Sequence, residues 1–283
     1  VLKYKIKIVH ARSYVSALMG LLLKKLLGIK FIFDMRGLWA DEKIDSKAWN
    51  KEGALYKITK RFEKSFLLNA DTVVSLTNAA VNEIKKFEYL EENNTRYEVI
   101  TTCADLELFN IDESNLEGEY LGFTLGYVGS VSLWYKFHET LMSFKLLQEI
   151  IGDARLVIVN KGQHEFIQKS LMESDIDSSK VKLFSADHTG VAKAMKSMDA
   201  GIFFIEPFYS KIASAPTRLG EFLGSGVPCL GNYGVGDMGE ILEMNHVGVA
   251  ISDFSQTSIK MGLNRLIKLS QEDNIKQRCR DVA

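Results

Sequence analysis

Gly201-Ile202-Phe203-Phe204-Ile205 is a short apolar, β-rich run. A polar loop follows it, and Pro216-Thr217-Arg218-Leu219-Gly220-Glu221-Phe222-Leu223-Gly224 then takes up a helical pattern. A strand feeding a helix in this way belongs to an open parallel sheet, where ligands bind outside the carboxyl ends of the strands. The first backbone N–H groups of such a helix have no partner within it. With the helix dipole behind them they suit a diphosphate. Ser214, Pro216 and Thr217 lead into that turn, and Arg218 adds a forked cation within it. Glu221 comes one turn later, ahead of Gly224, Gly226 and Pro228.

The same alternation runs outward from this stretch through almost all of the 283 residues. Upstream, Phe123–Val128, Arg155–Val159 and Val181–Phe184 read as strands, and downstream Pro228–Leu230 and Val247–Ile251 do. Helical patterns lie between them at Glu139–Ile151, His164–Glu173, Gly190–Met198, Thr217–Gly224 and Met238–Met244. An earlier series has strands at Ile6–Val9, Ile29–Phe33, Thr72–Leu76 and Glu98–Thr101. Its helices are Val15–Leu27, closed by Gly28, then Leu55–Leu68 and Asn78–Phe87. On Leu55–Leu68 an apolar stripe of Leu55, Ile58, Phe62 and Phe66 stands opposite a basic one of Lys57, Lys60, Arg61 and Lys64.

Asp105 to Glu119 is polar and reads as a linker between two α/β domains, 1–112 and 118–283. The second series holds about six strands. The first holds about four and lacks an opening strand, glycine turn and helix, and the chain starts at Val1. The expectation is a fragment truncated at both ends, with the first domain incomplete and the fragment inactive.

Composition narrows the class. Hydrophobic residues are 46% and charged residues 25%, which suffices for two soluble cores. A net charge of −1 gives no basic excess for nucleic acid. Cys103, Cys229 and Cys279 are odd in number and far apart, which fits a reduced, cytoplasmic setting. The apolar run Leu18–Leu27 is too short to span a bilayer and is broken by Lys24 and Lys25.

Ser214-x-Pro216-x-Arg218-x-x-Glu221, followed by Phe222-Leu223-Gly224-Ser225-Gly226-Val227-Pro228, resembles the donor-site signature of family 4 glycosyltransferases. Gly126-Tyr127-Val128-Gly129-Ser130 with Trp134-Tyr135-Lys136 looks like the opening strand and turn of that family's donor domain. Asp34-Met35-Arg36-Gly37-Leu38-Trp39 looks like its acceptor-side cleft segment. Thr101-Thr102-Cys103-Ala104-Asp105 with Phe109 is similar to its interdomain crossing.

The resemblance implies a GT-B fold, two Rossmann-like doubly wound domains facing across a cleft. It also implies transfer of a sugar, with retention, from a nucleotide diphosphate-sugar to a saccharide or lipid-linked acceptor hydroxyl, in surface polysaccharide or glycolipid synthesis. By position, Glu221 would accept from the nucleotide ribose. Gly129 and Ser130 would approach the phosphates, and Lys136 and Arg218 would neutralise them. Many members carry a second glutamate eight positions upstream; here that position is Ala213. No metal or other cofactor is expected.

Blander readings stand beside these. Glu221 also fits a surface glutamate, Arg218 and Lys136 fit ordinary ion pairs, and Ser214 or Thr217 fits a simple helix cap. His10, Arg12 and Ser13 should follow the first strand and Arg36 the second. His10 and Arg36 are therefore the acceptor-side and catalytic candidates, against a structural histidine and an Asp34–Arg36 pair. Asp175-Ile176-Asp177 matches a metal-binding Asp-x-Asp pattern but reads as a solvated turn. Gly234-Val235-Gly236-Asp237 follows a strand, so its glycines should border the donor. The Lys57–Lys64 stripe reads as a solvated face, or as peripheral contact with an anionic membrane at its inner face. Two other functions remain open: an inactive nucleotide-binding relative, favoured by Ala213, and a nucleotide-sugar epimerase.

Overall fold

The computed structural model describes residues 2–111, 122–131 and 134–283. The chain divides into two compact units. The first comprises Val1–Thr102, Pro207–Ala215 and Gly234–Asp237, and the second comprises Cys103–Glu206, Pro216–Tyr233 and Met238–Ala283. Residues 112–119 of the expected linker, and the expected domain limits at 112 and 118, lie outside the described residues.

The first unit contains β1 (Ile8–Arg12), α1 (Ser13–Leu27), β2 (Lys30–Asp34), α2 (Trp39–Asp45), α3 (Ala54–Asn69), β3 (Thr72–Ser75), α4 (Asn78–Ile84) and β4 (Arg96–Val99). Its four strands form a parallel sheet in the order β1-β2-β3-β4. Phe31, Phe33 and Val73 on its strands are buried against Ala17 and Leu21 of α1 and Phe66 and Leu67 of α3. Gly28 ends α1 in the left-handed region (φ 65°), its N–H donating to the Lys24 carbonyl.

The face that α3 buries follows its apolar stripe only in part: Phe66 is buried, but the rest of the stripe is not. Leu55, Ile58 and Phe62 are exposed, whereas Glu63 is wholly buried and Lys60 largely so. Polar groups can be buried when they satisfy one another, and these do. Lys60 Nζ donates to Glu63 and to Asp41 (3.0 Å), Tyr14 donates to Glu63 (2.5 Å), and Tyr56 donates to Asp41 (2.8 Å). The basic stripe is thus not wholly solvated, because Lys60 is drawn into this network.

The second unit contains β5 (Phe123–Val128), α5 (Phe137–Ile150), β6 (Ala154–Val159), α6 (His164–Glu173), β7 (Val181–Phe184), α7 (His188–Met195) and β8 (Ala200–Ile202). It continues with α8 (Thr217–Gly224), β9 (Cys229–Asn232), α9 (Met238–Met244), β10 (Gly248–Ile251), α10 (Gln256–Ser270) and α11 (Ile275–Val282). The six strands are parallel in the order β10-β9-β8-β5-β6-β7. The chain winds from β5 to β7 in one direction and from β8 to β10 in the other. The switch point, where such sheets open a crevice, therefore falls between β5 and β8.

Three local differences from the sequence reading have physical causes. β8 ends at Ile202, because the Asn232 side chain takes over pairing at Ile205: its Oδ1 accepts from the Ile205 N–H (3.0 Å) and its Nδ2 donates to the carbonyl (2.9 Å). α10 is an additional helix, started by Ser255, whose hydroxyl accepts from the Ser258 N–H, and anchored by Ile259, Leu263 and Leu266. The described part of the polar stretch after Asp105 is not a bare linker. Phe109 is wholly buried, and Arg280 donates to the carbonyls of Phe109 and Leu106. No helix among the described residues is long and apolar enough to cross a membrane.

Candidate functional site

The carboxyl ends of β5 and β8 carry the turn after Val128 and the segment leading to α8. Gly129 has φ 114°, a conformation open to glycine and strained for other residues. Its N–H donates to the Val159 carbonyl (2.8 Å), and its own carbonyl accepts from Asn160 Nδ2 (2.7 Å). Gln163 Oε1 accepts from Ser130 Oγ and from the Val131 N–H, both at 3.1 Å, so the turn is fastened before any ligand arrives. A Cβ added at Gly129 would overlap the Arg218 guanidinium. The glycine backbone and the arginine fork therefore meet at the switch point.

Arg218 stands in the first turn of α8, its guanidinium carbon 5.2 Å from the centre of the Tyr135 ring. Its Nη1 is buried and finds no hydrogen-bond partner among the described residues. A buried guanidinium N–H without an acceptor is costly to leave unmade. Pro216 is the N-cap of α8 and supplies no side-chain cap, so neither Ser214 nor Thr217 closes this helix start. Thr217 is exposed there, and the first N–H groups of a helix have no partner within it.

One turn on, the half-buried Glu221 carboxylate lies 3.6 Å from His188 Nε2, and the His188 ring packs edge-on against Phe109 (5.1 Å). Lys136 is placed differently from Arg218. Its ammonium is held by Glu139 and Glu206, both at 2.9 Å, and lies 4.9 Å from the centre of the Phe254 ring. Beyond β6 and β7 a cavity of about 550 Å³ is lined by Gly162, Gln163, His164, Glu165, Phe166 and Ser185. His164 Nε2 is 2.9 Å from the Asn160 carbonyl and 3.2 Å from Ser185 Oγ.

In the first unit, His10 lies inside β1 rather than after it, because the strand runs Ile8–Arg12. Its Nε2 is 3.3 Å from Asp34 Oδ2, and Arg12 Nε is 3.9 Å from the same oxygen. Arg36 is exposed and has φ 62°, an uncommon conformation for a side-chain-bearing residue and one that recurs at functional turns. Asp34 is matched by His10 and Arg12, and the contacts of the described residues include no Asp34–Arg36 pair.

Ser214 follows the short helical turn Tyr209–Ala213, and its N–H donates to the Lys211 carbonyl (3.0 Å). Ala213 is 2% exposed and packs with the first unit's core. Gly236 donates its N–H to the Lys211 carbonyl (2.8 Å), and the Asp237 carboxylate accepts from the Asn78 and Ala79 N–H groups (2.7 and 2.8 Å), capping α4. Asp177 is used locally, accepting from the N–H and hydroxyl of Ser179. Among the described residues no three His, Cys, Asp or Glu side chains are grouped to hold a metal.

Residues 1–100 match the family model described as "Glycosyl transferase 4-like domain". A glycosyltransferase from Rickettsia africae ESF-5 superposes with a TM-score of 0.70 at 16% identity, over 99% of this chain and 72% of that one. HepE of Anabaena in complex with UDP superposes with a TM-score of 0.70 at 13% identity, over 99% and 74%. Sucrose-phosphate synthase of Thermosynechococcus elongatus gives 0.67 at 15% identity, over 99% and 70%. The fold is that of the GT-B glycosyltransferases. At these identities the likeness is one of architecture. No curated protein sequence matches the chain.

On this GT-B frame the sequence reading omitted His188, Asn160, Gln163, His164 and Ser185. Each lies at or shortly beyond the carboxyl end of β6 or β7, so the rule that led to Arg218 was available for them too.

Proposed function

We propose that the protein is a retaining glycosyltransferase that moves a sugar from a nucleotide diphosphate-sugar to an acceptor hydroxyl. The observation that carries this reading is Arg218: a guanidinium with a buried, unpartnered Nη1, beside a glycine turn and at an uncapped helix start. A diphosphate supplies the missing acceptors and matches the fork. In the transition state negative charge grows on the departing diphosphate, and fixed donors aimed at it lower the barrier. Arg218, the first N–H groups of α8 and the backbone at Gly129 and Ser130 fill that role, so no metal is required in this reading.

Glu221 accepts from the ribose hydroxyls, and the cavity by Gln163, His164 and Ser185 takes the base. Lys136, held between Glu139 and Glu206, fixes the strap after β8 and adds its charge at longer range. His10 and Arg36 stand on the acceptor side. That HepE was solved with UDP supports a uridine diphosphate-sugar as donor. Synthesis of surface polysaccharide or glycolipid from the cytoplasmic face of a membrane belongs to the same reading. The exposed Leu55, Ile58 and Phe62 beside Lys57 and Arg61 support peripheral contact there.

Ala213 favours a second reading, a nucleotide-binding relative without transfer. Its place in the core leaves no carboxylate at that position for the donor sugar.

Glu221→Ala should weaken UDP binding by roughly 1.5–3 kcal/mol, the worth of hydrogen bonds to a charged group. Titration calorimetry with UDP and 2′-deoxy-UDP checks this. The wild type should prefer UDP and the variant should not. Equal affinities in wild type and variant would remove the ribose assignment.

A further inference from the structure

The buried network of α3 ends at a cavity. A space of about 380 Å³ in the first unit is lined by Asp41, Asp45, Tyr56, Lys60, Tyr89 and Tyr209, among others. That volume is within the range of about 300–1,000 Å³ typical of small-molecule sites. It lies among α2, the first half of α3, the segment after α4 and the turn at Tyr209, and neither His10 nor Arg36 is among its lining residues.

The chemistry of the lining is selective. The rings of Phe87 and Tyr89 lie side by side, with centroids 5.5 Å apart, and Tyr209 and Tyr56 add two more aromatic faces. Aromatic faces offer flat apolar area with a polar tip. Asp41 is nine-tenths buried and held in place, Oδ1 accepting from Tyr56 and Oδ2 from Lys60. Asp45 Oδ2 accepts from the Ser210 N–H (3.0 Å), which ties the Tyr209 turn to α2. Each carboxylate oxygen has room for a further donor.

Burial, with nearby carboxylates, raises the Tyr56 and Tyr209 hydroxyls well above their ordinary range and keeps them protonated. The carboxylates Asp41 and Asp45 share the lining with the ammonium groups of Lys51 and Lys60, and Lys64 stands over the Tyr89 ring at 4.6 Å. Flat aromatic surface beside fixed carboxylate acceptors suits an uncharged polyol ring, which has C–H faces and vicinal hydroxyls that donate.

We propose that this cavity binds one neutral pyranose ring of the acceptor saccharide, the tyrosine rings against its C–H face and Asp41 and Asp45 accepting its hydroxyls. The word acceptor rests on the glycosyltransferase reading; the saccharide site itself does not.

The test uses the full chain and the methyl glycosides of glucose, galactose and mannose, followed by saturation-transfer NMR, with UDP titrated separately by calorimetry. At least one glycoside should bind and should not be displaced by UDP or by inorganic phosphate. Tyr209→Ala, at a residue already 40% exposed, should weaken it about tenfold or more, with UDP affinity unchanged. Asp45→Asn, whose amide oxygen can still accept from Ser210, should weaken it too, with an unchanged melting temperature. The proposal fails if none of the glycosides binds, if binding is indifferent to both substitutions, or if phosphate displaces the glycoside. Glycoside binding without UDP binding upholds the saccharide site and removes the donor reading instead.

Discussion

Arg218→Ala is expected to weaken UDP binding by about 2–4 kcal/mol, a factor of about 30 to 1,000 in Kd. The size follows from what is lost. A ligand diphosphate would occupy a partly desolvated place at the β5–β8 switch point, where the arginine fork meets the Gly129 turn. Removing it leaves the anion to the backbone of Gly129 and the start of α8. The unliganded fold should suffer little, because Arg218 Nη1 is already without an acceptor among the described residues and the Tyr135 contact is worth only about 0.5–1 kcal/mol at a partly exposed site. Arg218→Lys should recover only part of the affinity, since a point charge does not reproduce two parallel N–H donors. Calorimetry with thermal denaturation of the free protein checks both halves. A variant that binds UDP as the wild type does would exclude Arg218 from the site.

The largest expected loss of stability is at Lys60. Lys60→Met leaves Glu63, wholly buried, with Tyr14 as its remaining donor and removes one of the two donors on Asp41. Breaking a buried pair from one side costs about 3–5 kcal/mol, because a charge is left uncompensated. The loss should depend on pH in a definite sense. Burial holds the Glu63 carboxyl above its ordinary pKa, and Lys60 is the main influence against that shift. Without Lys60 the folded value rises further. A carboxyl whose folded pKa exceeds its unfolded one favours folding while protonated. That contribution is complete below the unfolded pKa of about 4.3 and is lost as pH rises through the folded value. Lys60→Met should therefore be least harmful in acid and most harmful near neutrality. Adding Glu63→Gln, which can still accept from Tyr14, should restore part of the loss at neutral pH. Urea unfolding of the single and double variants between acid and neutral pH decides this. A loss independent of pH would mean that Glu63 carries no charge in the fold.

These two residues also show where a sequence can be read and where it cannot. The α8 region is local: apolar strand, loop, proline, arginine and glycine-rich turn follow in order, so Thr217–Gly224 is found with its bounds. The second sheet's parallel strands are continuous apolar runs and equally visible. By contrast, α3 misleads in part, although Phe66 of its apolar stripe is buried. Its periodicity puts Leu55, Ile58 and Phe62 inward, and Lys60 and Glu63 are inward instead because Asp41 and Tyr14, far off in sequence, meet their charges. Lys136 shows the same limit: as a loop lysine it could be read as free, and only the fold brings Glu206, seventy residues later, against it. β1 begins two residues beyond its first apolar position, which moves His10 from a strand end into the strand. Ser255 and the spacing of Ile259, Leu263 and Leu266 make α10 legible as well, although no motif marks it.

The central claim is sugar transfer from a nucleotide diphosphate-sugar, and product analysis with radiolabelled UDP-sugars tests it most directly. The protein is incubated with each labelled donor and a mixture of saccharide and lipid-linked acceptors, and the label is then separated by chromatography. The account predicts label in a glycoside larger than the donor sugar, with the anomeric configuration kept, and predicts its loss in Arg218→Ala. Bound UDP-sugar recovered unchanged would identify a nucleotide-binding relative without transfer, as Ala213 suggests, and label recovered in an epimeric sugar would identify an epimerase; either result would contradict the account.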